Sequence, residues 1–178
     1  HTDINKFSQM YAEMATPNMF RTASGAPGPA YYQQRADYKI NVELDDKLSR
    51  MYGSETVTYY NNAPESLDYL WVQLDQNIAR RDSQTPLIDN QTMPTSTSPE
   101  NFAKSYMGKS FDGGYNLEYV KDEKGNAMKY TINNTMMRID LPKALKKGEK
   151  VVFSIKWWYN INDSMKDGGN GRSGYELF

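Results

Sequence analysis

At 178 residues the chain suits a single domain, which at that size buries on the order of 70% of its unfolded surface. Twenty-one Lys and Arg against 22 Asp and Glu leave a net charge of −1, so no bulk field draws the chain to nucleic acid or to an anionic membrane. With no cysteine and a single histidine at position 1, disulfides and thiolate chemistry are excluded, and a His-based metal site or charge relay would stand on the terminus alone.

Between Asp3 and Ala15 the apolar residues Ile4, Phe7, Met10, Tyr11 and Met14 recur at three- and four-residue steps. This spacing predicts a short amphipathic helix stopped before Pro17 and laid against its own domain, since its polar side lacks a basic stripe. Residues 22–30, TASGAPGPA, read as a linker. Strand patterning starts at Ala36, where Tyr38, Ile40, Val42 and Leu44 alternate with polar residues. Asp45, Asp46 and Lys47 supply a turn, and MYGSETVTYY (51–60) returns as the second arm of a hairpin, with aromatics on both of its sides. LDYLWVQLD (67–75) is apolar enough to be covered on both faces. Seven Ser/Thr and three Pro between Asp82 and Glu100 predict a long loop. Strands resume at 115–120, 127–132, 136–141 and 151–161, and no apolar run reaches the roughly 18 residues of a membrane-spanning helix. About seven short strands separated by turns predict an all-β, antiparallel β-sandwich with a short N-terminal helix and a long Ser/Thr/Pro-rich loop. Ile40, Val42, Leu70, Val72, Phe153 and Ile155 are its expected buried residues.

Four candidate motifs reduce to ordinary structure. Gly169, Gly171 and Gly174 have the spacing G-x-G-x-x-G, but only four residues follow Gly174, so no helix leaves the glycines to hold a pyrophosphate. AKSYMGKS (103–110) has Ala103 where a phosphate-binding loop needs glycine and reads as a surface loop. Glu43, Asp45 and Asp46 sit at a hairpin turn between polar residues and read as a charged, solvated turn. Asp163 and Asp167 begin a calcium-like pattern that Met165 and Gly174 break. No catalytic or metal-ligating set can be assembled. Trp157 and Trp158 are adjacent on one predicted strand and must face opposite ways. Trp157 belongs to the apolar series Val151, Phe153, Ile155, Trp157 and Tyr159, so Trp158 becomes the exposed aromatic contact, packed under a loop, anchoring a partner or stacking on a sugar.

Four stretches in order carry a resemblance: YYQQRADYKINVELDD (31–46), YGSETVTYYNNAPESLDYLWVQLDQN (52–77), LPKALKKGEKVVFSIKWWYNI (141–161) and GRSGYELF (171–178). Together they resemble the saddle-like N-terminal domain of the aminopeptidase N-like zinc metallopeptidases, a gluzincin family, in its bacterial branch. The resemblance implies residues 1–30 as helix and linker and 31–178 as a noncatalytic sandwich. A zinc-holding H-E-x-x-H helix and a later Glu would lie in a following catalytic domain of the same polypeptide. On this reading the chain holds no cofactor, while zinc and the peptide substrate belong to the parent hydrolase. The sandwich then caps the catalytic domain and shapes a cleft for peptide N-termini, with Arg172, Tyr175, Glu176 and Phe178 at the interface. By family analogy the location is periplasmic or secreted. The alternative is a free-standing binding module for carbohydrate or protein, with Trp158 stacking on the ligand.

Overall fold

The computed structural model describes residues 16–84, 95–106, 111–163 and 174–175. The alternating stretch that begins near Ala36 forms β1 (Arg35–Asp45), which returns as β2 (Arg50–Tyr60). Their turn is fixed by Asp45, whose Oδ1 accepts the backbone N–H groups of Lys47 (3.0 Å) and Leu48 (2.9 Å). There follow β3 (Leu67–Gln73), a 3-10 helix (Asp75–Ala79), α1 (Pro99–Tyr106), β4 (Asn116–Asp122), β5 (Tyr130–Asn133), β6 (Met136–Leu145) and β7 (Lys150–Asn160). Two short strands, β8 (Asn162–Asp163) and β9 (Gly174–Tyr175), pair in parallel.

The main strands make two antiparallel sheets, one of four strands in the order β1-β2-β7-β4 and one of three in the order β3-β6-β5. The all-β sandwich expected from the strand pattern is therefore present. Its core joins Val57, Val120, Phe153 and Ile155 from the wider sheet to Leu70, Met137 and Ile139 from the narrower one. Buried Asn61 ties the end of β2 to the start of β3 and to the β6–β7 hairpin. Its Nδ2 donates to the carbonyls of Glu65 and Leu145 (both 2.8 Å), and its Oδ1 accepts from the Ala63 N–H and from Gln34 Nε2 (both 3.0 Å). Buried Asn77 does the same for the 3-10 helix, donating to the Asn134 carbonyl (2.9 Å) and accepting from the Tyr115 N–H (2.9 Å). Both amides are thus satisfied out of water.

Three expectations need correction. Ile40 and Val42 are not core: β1 is the edge of the wider sheet, and the narrower sheet stops short of it. β3 is covered on one face only, because packing two sheets together buries one face of each; Leu70 is buried whereas Tyr69 and Trp71 are exposed. The surface loop expected at 103–110 begins instead in the helix α1, which the Ser/Thr/Pro-rich stretch enters at Pro99. Ser98 caps α1 by accepting the Asn101 N–H on its Oγ (3.2 Å), and Pro99 takes the first helical position, where no N–H is required. The first four residues of the phosphate-loop look-alike lie in this helix. The helix predicted over residues 3–15 lies outside the described residues.

The contrast between core and edge is measurable. Phe153→Ala should cost about 3–5 kcal/mol of unfolding free energy, and Ile40→Ala under about 1 kcal/mol, by denaturant titration. Equal costs would place β1 inside the core.

Candidate functional site

Strand alternation sets which side chains of the wider sheet face the narrower one. The register opposes Tyr38 to Val57 to Phe153, Ile40 to Glu55 to Ile155, and Val42 to Gly53 to Trp157. Alternate residues of a strand share a face, so all of these look inward. Phe153 and Ile155 are buried there. Tyr38, Ile40, Val42 and Leu44, one strand beyond the overlap, remain 62%, 54%, 62% and 52% exposed. Between this overhang and β3 lies a groove of about 820 Å³, walled by Tyr38, Ile40, Tyr59, Leu70, Tyr115 and Trp157. That volume falls within the usual range for ligand and partner clefts.

Two residues of β2 shape the groove. At Gly53 an added Cβ would clash with the Trp157 ring, so the missing side chain is what lets the indole lie across β2. Trp157 is held there by a stacked contact with Tyr159 (5.7 Å) and an edge contact with Tyr115 (5.1 Å). Glu55, two residues on, places a half-buried carboxylate on the groove wall. Burial raises its pKa, and no hydrogen bond or ion pair among the described residues offsets that burial. Tyr115 is likewise raised, chiefly by burial, with smaller contributions from neighbouring Tyr159 and Glu55.

The opposite face of the same sheet is polar and paired. Lys156 meets Glu118 at 2.7 Å, and Thr56 shares a hydrogen bond with Ser154 (3.1 Å). Trp158 lies on this face, half-buried, with the Arg50 guanidinium 4.1 Å above its ring and anchored by Asn160 Oδ1 (3.1 Å). One ring face is therefore already occupied by a cation–π contact. Tyr175 pairs with Asp163 through β8 and β9, while Arg172, Glu176 and Phe178 lie outside the described residues. Among the described residues, no three His, Asp or Glu side chains are grouped as a metal centre requires, so the donors described here do not fit a zinc site. Glu43 and Asp45 stay at the β1 end and hairpin turn as expected. Sequence reading missed Glu55 and Gly53. Their signal was a charge and a gap at period two within an otherwise apolar face.

Two substitutions test this geometry. Gly53→Ala should destabilise by about 1–3 kcal/mol, through displacement of the Trp157 ring. For Glu55 the folded pKa lies above the unfolded one, so the charged form opposes folding, and its cost vanishes as pH falls below the unfolded value. Glu55→Gln should therefore stabilise the chain at about pH 7 and make little difference near pH 4. Destabilisation at about pH 7 would reveal a partner for the carboxylate.

No protein-family model and no curated protein matches the sequence. Among solved structures, the chain is similar to a mutant M1 zinc metallopeptidase from Deinococcus radiodurans bound to the peptide Tyr-Ser-Ala. The TM-score is 0.42 at 12% identity, over 71% of this chain and 21% of that one. A mutant two-domain M1 zinc metallopeptidase bound to L-tryptophan gives 0.44 at 12% identity, over 82% of this chain and 24% of that one. This chain thus spans about a quarter or less of the length of these two chains.

Proposed function

We propose that the chain is the noncatalytic N-terminal domain of a longer zinc aminopeptidase, docked through its overhanging β1 face onto the catalytic domain. The observation that carries this reading is the apolar strip Tyr38, Ile40, Val42 and Leu44. Four adjacent large side chains on one strand face leave apolar area in water that a partner surface would remove. The four stretches that resemble this family supply the identity of the partner. In the assembled enzyme, zinc held by the following domain supplies the Lewis acid and the activated water. The sandwich gives the cleft one wall and restricts it to peptide N-termini; its location is periplasmic or secreted. The sugar-module alternative gains no support from Trp158, one face of which is covered by Arg50.

The polypeptide extended through the following domain should hydrolyse an aminoacyl-anilide and lose that activity to a chelator. This chain alone should not. The paired change Val42→Asp and Leu44→Asp should leave the melting temperature of the chain alone within a few degrees, because both sites are exposed, yet lower that of the extended protein. An extended protein indifferent to both changes would exclude docking through β1.

A further inference from the structure

The groove beside β1 is acidic as well as apolar. Among the described residues its lining includes two carboxylates, Glu55 and Asp68, and no Lys, Arg or His. Elsewhere the sandwich matches its charges locally: Arg35 with Asp37 (2.8 Å), Arg80 with Asp82 (2.9 Å), Arg138 with Asp140 (2.8 Å) and Lys156 with Glu118 (2.7 Å). Those pairs are largely exposed, where pairing contributes little. Glu55 is the reverse case, half-buried between Ile40 and Ile155 in the register and without a described partner. An ionised carboxylate on an apolar face costs stability in the chain alone, and a cation brought to it offsets that cost.

Accepting the docked arrangement just proposed, we infer that the segment of the catalytic domain seated in this groove presents one lysine or arginine to the Glu55 carboxylate. Aliphatic side chains on either side of it pack along Ile40 and Val42. The charge pair then sets the register, since an apolar strip alone fits a partner slid along it, whereas the half-buried Glu55 carboxylate accepts a cation at one position. Asp68, at the groove's mouth, adds to the field that attracts the cation. The groove's aromatic walls, Tyr115 and Trp157, suit the edge of a guanidinium or an alkylammonium stem.

The inference predicts a reversal of sign. In the chain alone Glu55→Gln is stabilising, because it removes an uncompensated charge. In the extended protein at about pH 7 the same change should lower the melting temperature, because it strands the partner's cation. Carbodiimide-driven labelling of carboxyl groups gives a second readout that needs no variant. Glu55 should label at least about tenfold more slowly in the extended protein than in the chain alone. Slow labelling of Glu55 together with a Gln variant as stable as its parent, or more so, would mean burial without a cation and would overturn the pairing. Unchanged labelling of Glu55, with Val42→Asp and Leu44→Asp still destabilising the extended protein, would also overturn the pairing but leave β1 docking intact. If neither β1 nor Glu55 responded to the added domain, docking and pairing would fall together. Slow labelling in the chain alone that depended on its concentration would assign the groove to a second copy and overturn the inference.

Discussion

The structure turns on a mismatch of width. Stacked sheets bury the faces over which they overlap, and neighbouring strands of each lie about 4.8 Å apart. Here a three-stranded sheet lies on a four-stranded one. The overlap makes a closed core around Phe153, Ile155, Met137 and Ile139. The unmatched strand is β1, and its inward-facing side chains carry the same apolar alternation as those of β7. β1 therefore has the composition of a core strand in a place where the described residues supply no cover.

Other features of the sandwich follow from that overhang. Gly53 opens space on β2, and the Trp157 ring fills it, so the groove's floor is an indole instead of a gap. Tyr115 and Tyr159 pack edge-on against each other, at 5.4 Å, and brace that ring. Glu55 remains on the wall as a charge that no described residue pairs. The outer face shows the contrasting solution: Arg50 stacks on Trp158, Lys156 meets Glu118, and hydroxyls pair between strands. One face of the sheet is finished for water and the other is not.

The fold was legible where the residue pattern alone decides. Alternation located β1, β2 and β7, and the Asp45 turn and the opposition of Trp157 and Trp158 followed from short-range rules. What alternation cannot encode is the partner of each face. Ile40 and Ile155 have the same chemistry and sit two strands apart in one row, yet one is exposed and the other buried, because only the packing of the second sheet separates them. The double-sided apolarity of LDYLWVQLD misled for the same reason. The start of α1 was written in the sequence as Ser98-Pro99-Glu100, a cap followed by a favoured first residue, and was obscured by the composition of the stretch before it. Asn61 and Asn77 carried no signal, since an asparagine that joins distant loops looks like any turn residue until the loops meet.

The central claim is that the inward face of β1 is an interface. Amide hydrogen exchange over residues 38–44, compared between the chain alone and the polypeptide extended through the proposed catalytic domain, tests it most directly. The account predicts slower exchange along that strand in the extended protein, with the core of β7 around Phe153 and Ile155 nearly unchanged, since the added surface covers the edge and not the centre. Equal exchange of residues 38–44 in the two proteins would contradict it and leave the strip a bare surface of the sandwich.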